Sequence, residues 1–119
     1  MTLKILTIDD DPGITKLLSL LLGSYGMTVI MANKGEDGIQ LVRTESPDLV
    51  LLDMMMPGMN GMEVSKTIRS FCDVPILAFS ALANAQEVAA AMNAGVSDYL
   101  EKPAPADILV ERINKLTLA

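Results

Sequence analysis

With 119 residues, half of them apolar, the chain has the size of one domain and can fill a core without disulfide or metal staples. A formal net charge of -6 disfavours direct contact with nucleic acid or anionic lipid, and the absence of histidine and tryptophan excludes histidine general-base chemistry and histidine-ligated zinc. The single cysteine, Cys72, excludes an intrachain disulfide, no apolar run is long enough for a bilayer, and Met1 to Ile8 lacks the make-up of a signal peptide, so the cytoplasm is the expected compartment.

The first apolar run, Leu3 to Ile8, predicts a strand and is followed at once by Asp9, Asp10 and Asp11. Ile14, Leu17, Leu18, Leu21 and Leu22 then recur at helical spacing, and Gly23 and Gly26 stand where that helix should stop. Met27 to Met31 predicts a second, more exposed strand, with no chemically active residue expected at its end. A helical stretch around Gly38 to Val42 leads to the run Leu49 to Leu52, which is followed by Asp53. Beyond Pro57, Gly58 and Gly61 come a helix over Val64 to Ile68 and a strand over Val74 to Phe79, with Ser80 next. The alanine-rich stretch Val88 to Met92 predicts the fourth helix, closed by Gly95. Val96 to Leu100 is the fifth strand, holding Tyr99, with Lys102 two residues beyond it. Pro105 suits the first turn of a last helix that includes Ile108 to Leu116.

Strands and helices alternate strictly, and the strands are near-continuous apolar runs, as in sheets covered on both faces. The expected fold is α/β: one domain over 1–119, a doubly wound, five-stranded parallel sheet with helices on both faces. In the common flavodoxin-like order 2-1-3-4-5, the carboxyl ends of strands 1, 3, 4 and 5 share one rim. Carboxylates, the Ser80 hydroxyl and the Lys102 ammonium would then converge. Crowded carboxylates repel one another unless a cation compensates them or they take up protons; a hard divalent ion is the natural answer, and oxygen donors with water suit Mg²⁺. Lys102 and Ser80 are left to meet the oxygens of a phosphoryl group, with the carboxylate nearest the metal as nucleophile.

Taken singly, these residues have plainer readings. The aspartate triplet can cap a helix, Asp53 can belong to a turn, Ser80 can cap the fourth helix, and Lys102 can be a solvated lysine. Tyr99 can be packing, Cys72 an incidental thiol, and the methionines at 54, 55, 56, 59 and 62 loop and core filler. Joint placement at the ends of four strands favours the functional reading.

Ile8-Asp9-Asp10, Leu-Leu-Asp-Met-Met-Met-Pro at 51–57, Gly61, Ser80-Ala81 and Lys102-Pro103 resemble, in order and spacing over the whole chain, the response-regulator receiver family of two-component signal transduction. The resemblance implies that Asp53 is the phosphoacceptor, charged from the phosphohistidine of a sensor histidine kinase or histidine phosphotransfer protein, or from a small phosphodonor. It implies a Mg²⁺ site made by Asp10, Asp53 and the backbone carbonyl of Met55, with Asp9 acting at least partly through water. Lys102 would pair with the phosphoryl group, and Ser80 and Tyr99 would form a switch that alters the face of helix 4, strand 5 and helix 5 for a downstream target the residues do not identify. A cis Lys102-Pro103 bond is expected. Met55 and Leu82 would lie over the phosphoryl group, where apolar side chains exclude water and slow its loss. Such a module is not an enzyme turning over a separate substrate, although it assists its own phosphorylation and dephosphorylation.

Two departures bear on surfaces. Ala104 stands where relatives carry a large apolar residue, so packing beneath the last loop should be smaller. Asp98 and Arg112 match one charged pair of the dimers formed by relatives that carry winged-helix DNA-binding domains, but Asn84 to Ala94 contains no lysine or arginine for the others, so that dimer is not expected. A receiver that has become a mere scaffold would lack an acid or the lysine, and both are present. A flavodoxin-like electron carrier would need a Ser/Thr/Gly-rich phosphate loop, and an aspartyl-phosphate hydrolase an acid two residues beyond Asp53, where Met55 stands.

Overall fold

The computed structural model describes residues 2–118. Five apolar segments form strands β1 (Lys4–Ile8), β2 (Thr28–Ala32), β3 (Leu49–Leu52), β4 (Ile76–Ser80) and β5 (Asp98–Glu101). Between and after them lie α1 (Pro12–Ser24), α2 (Gly35–Glu45), α3 (Gly61–Arg69), α4 (Ala85–Asn93) and α5 (Ala106–Thr117). All strands are parallel, in the order β2-β1-β3-β4-β5. Ile8 lies beside Leu52, and Leu52 beside Ala78, so the carboxyl ends of β1, β3 and β4 reach the same rim.

Alternation along the strands divides the core in two. Ile5, Leu49, Leu51, Leu77 and Phe79 pack with Leu18 and Leu22 of α1 and with Leu109, Val110 and Ile113 of α5. Leu6, Ile8, Val50, Leu52, Ile76 and Ala78 pack with Val42 of α2, Val64 and Ile68 of α3, and Ala91 of α4. Met54 and Met56 are buried in this second layer, as filler.

Helix starts are set by local chemistry. Asp11 accepts a hydrogen bond from the Gly13 amide at 2.9 Å and Pro12 opens α1, so the third acid of the triplet is a cap. Asn60 and Glu63 form a reciprocal capping box on α3. Asn84, not Ser80, caps α4, and Ser80 remains in β4, paired with Glu101. The strand predicted over 74–79 begins later because Pro75 has no amide hydrogen to donate, though its carbonyl accepts from Val50.

At the opposite rim, the Arg69 guanidinium donates to the carbonyls of Gly95, Cys72 and Val74 and to the Ser97 hydroxyl. Gly95 has φ +98, and a Cβ there would lie 2.5 Å from Arg69 Cγ, so both its conformation and its missing side chain are required.

Candidate functional site

The acids come together because β1 and β3 are neighbours. The Asp53 amide donates to the Ile8 carbonyl at 2.9 Å, extending the pairing of the two strands by one step. Asp9, Asp10 and Asp53 each bring a carboxylate oxygen within 4.8 Å of the others.

Their surroundings differ. Asp9 is 4 % exposed; one oxygen accepts from the Asp11 amide at 3.0 Å and the other from Lys102 Nζ at 2.8 Å. The ammonium expected to meet an anion therefore rests here on the most buried acid, which needs a compensating charge. Lys102 Nζ also lies 5.3 Å from the centre of the Phe79 ring, and the Lys102 amide donates to the Ser80 carbonyl. Asp10 is exposed. The Asp53 carboxylate accepts from the Met55 amide at 3.0 Å. Burial pushes the Asp53 carboxyl above its ordinary value; the Met55 amide and Lys102 pull it back, while Asp9 and Asp10 push it further up.

Beside the acids, Ser80 is fully buried and its Oγ accepts from the Leu82 amide at 3.5 Å, while the Leu82 carbonyl accepts from the Tyr99 hydroxyl. Burial raises the Tyr99 phenol above its ordinary value, offset in part by the nearby Ser80 hydroxyl. β5 is thus tied to the loop after β4 through Tyr99. Met55 is 54 % exposed, Leu82 is half-buried, and no hydrogen bond among the described residues occupies the Met55 carbonyl. The Lys102-Pro103 bond is cis.

Beyond the residues singled out in the sequence, the end of β2 also bears on this rim. Asn33 Nδ2 donates to the Asp9 carbonyl at 2.8 Å and to the Thr15 hydroxyl at 3.1 Å. The signal available in the sequence was Thr15, a polar residue at the spacing of the apolar stripe that contains Leu18 and Leu22. A hollow of 390 Å³, lined in part by Asp10, Asn33, Lys34 and Met59, opens beside the acids. Ala104 lines another of 220 Å³ against Ile14, Leu17 and Leu21, and Arg112 lies 3.1 Å from Asp98.

All the donors that converge from Asp9, Asp10 and Asp53 are oxygen, and three carboxylates face one ammonium, a set that fits a hard divalent cation. The model of the response regulator receiver domain matches residues 5–114. The chain belongs to this family. As a receiver domain it is a phosphoacceptor signalling module of two-component systems. It is 36% identical over 113 residues to the DNA-binding response regulator MtrA of Mycolicibacterium smegmatis, covering 95% of this chain and 50% of that protein. It is 38% identical over 110 residues to the transcriptional regulatory protein AfsQ1 of Streptomyces coelicolor, covering 92% and 49%. The chain thus spans about half the length of the curated relatives it matches. The BeF3-activated N-terminal receiver domain of Klebsiella pneumoniae RstA superposes with a TM-score of 0.93 at 31% identity, covering 98% of this receiver and 99% of that one. Among the described residues of the receiver, no helix is long and apolar enough to cross a membrane.

Proposed function

We propose that residues 1–119 form one receiver unit in which Asp53 takes the phosphoryl group, in the cytoplasm, from the phosphohistidine of a sensor histidine kinase or a histidine phosphotransfer protein. The observation that carries this reading is the meeting of the Asp9, Asp10 and Asp53 carboxylates within 4.8 Å, with Lys102 Nζ 2.8 Å from Asp9. Asp10, Asp53 and the Met55 carbonyl would hold Mg²⁺, with Asp9 reaching it at least partly through water. When bound, the ion neutralises charge that builds on the transferring group.

The chain's own groups do the rest. An Asp53 oxygen attacks phosphorus, the phosphorus–nitrogen bond of the donor breaks, and the electron pair stays with the departing imidazole, which takes up a proton from solvent. Lys102 turns from Asp9 toward a phosphoryl oxygen, exchanging one oxyanion partner for another. Ser80 donates its hydroxyl hydrogen to a second oxygen. Because the Leu82 amide donates to Ser80 Oγ and Tyr99 donates to the Leu82 carbonyl, movement of Ser80 disturbs the loop and β5 together. That disturbance reaches the face of α4, β5 and α5, where a downstream protein reads it. Met55 and Leu82 lie over the phosphoryl group and offer water no hydrogen bond. The module assists gain and loss of its own phosphoryl group and turns over no separate substrate.

Intact-mass measurement after incubation with acetyl phosphate tests the assignment. One phosphoryl group should appear only with Mg²⁺ and should be lost in Asp53→Asn; equal labelling of both proteins would remove Asp53 from the role.

A further inference from the structure

Of the three acids, Asp10 alone has no protein donor on its carboxylate among the described residues; Asp9 has Lys102 and the Asp11 amide, and Asp53 has the Met55 amide. Its direction therefore depends on the backbone that carries it, the loop of residues 9–11 together with the first residue of α1. That loop is held from outside at both ends. Asn33 Nδ2 donates to the Asp9 carbonyl at 2.8 Å and to the Thr15 hydroxyl at 3.1 Å, and the Thr15 hydroxyl donates to the Pro12 carbonyl at 3.1 Å. One amide and one hydroxyl thus span the loop, with Asp10 and Asp11 between the tied carbonyls.

Packing does not account for this hydroxyl. Thr15 is 1 % exposed and follows the stripe of Leu18 and Leu22, where valine would fill the same space without a polar group to satisfy. Both amide hydrogens of Asn33 are used, one on the loop and one on the residue that grips its far end.

We infer that Asn33 and Thr15 are positioning residues of the metal site: they fix the backbone on which the Asp10 carboxylate stands and so set Mg²⁺ affinity without touching the ion. This rests on the Mg²⁺ reading above. Groups that hold ligands in place alter metal affinity by about tenfold to a hundredfold when removed, and loosening one of several ligands belongs at the lower end of that range.

The test is calorimetric titration of Mg²⁺ into the unphosphorylated wild type, Asn33→Ala, Thr15→Val and Thr15→Ser, with urea unfolding of each protein beside it. Asn33→Ala and Thr15→Val should bind about tenfold more weakly, whereas Thr15→Ser, which keeps the hydroxyl and loses a buried methyl, should bind as the wild type does while unfolding at lower urea. A packing role predicts the opposite order, with serine the more damaging replacement. Thr15→Val binding as tightly as the wild type, or affinities that follow urea stability and not the hydroxyl, would overturn the inference while leaving the metal site standing. A wild type that takes up no Mg²⁺ would overturn the metal reading, and this inference with it.

Discussion

Replacing Gly61 with alanine should damage fold and chemistry together, because α3 begins in contact with the backbone that carries the acceptor. A Cβ at Gly61 would lie 2.5 Å from Met54 Cα, 2.7 Å from Met54 Sδ and 3.0 Å from the Asp53 carbonyl oxygen, where ordinary contact begins at 3.4 Å. The sulfur can swing aside, but Met54 Cα cannot. Relief requires the first turn of α3 or the 53–54 backbone to retreat by about 1 Å, and overpacking of this kind costs about 1–3 kcal/mol, with a backbone obstacle placing it near 2 or above. Better helix propensity of alanine returns less than about 1 kcal/mol of that. At about 4–8 °C per kcal/mol for a domain near this size, the melting temperature should fall by roughly 4–16 °C. A shift of about 1 Å at a reacting group can cost as much as a hundredfold in rate, so Mg²⁺-dependent labelling by acetyl phosphate should slow by roughly tenfold to a hundredfold at a temperature where the variant is folded. Thermal unfolding and a labelling time course read the two effects separately. Gly23→Ala is the control: nothing lies within 4 Å of its added Cβ, and it should raise stability by about 0.5–1 kcal/mol with labelling unchanged. A Gly61→Ala protein that melts and labels as the wild type does would refute the close approach.

The raised Asp53 carboxyl gives a pH test. The folded state holds that proton more tightly than the unfolded chain does, so in metal-free buffer ionised Asp53 costs stability near neutral pH, and the cost declines as pH falls through the folded value and is gone below the unfolded one. Asp53→Asn should therefore raise the melting temperature near pH 7, with the gain shrinking toward pH 4; an equal gain at both would contradict the shift. The phosphorylated state should be long-lived, and a Met55→Asn, Leu82→Glu double variant should release phosphate up to roughly tenfold to a hundredfold faster, as expected if placing a water is worth on the order of 1.4–2.8 kcal/mol. Release followed in excess Mg²⁺ decides it, and decay at the wild-type rate or slower would remove both residues from control of the lifetime.

The strands could be read because each is an apolar run with little interruption, and the helices because Leu18, Leu22, Val64 and Ile68 recur at helical spacing. Their ends were less legible. β2 and β4 start a residue or two later than apolarity suggests, since pairing and the proline at 75 decide where a ladder begins. The acids and Lys102 could be placed because each immediately follows, or nearly follows, a strand. Asn33 could not, because its part depends on partners 24 and 18 residues away that only the packing of α1 against β2 brings within reach. Nor could the resting contact of Lys102 with Asp9 be read, since it joins residues 93 positions apart.

Arg69 bears on where a disturbance can travel. Its hydrogen bonds fasten the chain just before β4 and just before β5, a strand's length from Ser80 and at the root of the strand that carries Tyr99. A plate clamped along one margin deflects like a cantilever, most at the free margin and least at the root. Strain introduced at the acid end should therefore be taken up by the loop of residues 81–84 in preference to the loops on the clamped side. A side chain at Gly95 would evict the guanidinium and turn the root into a second free margin, so the same stimulus would be shared between two ends and neither would move as far.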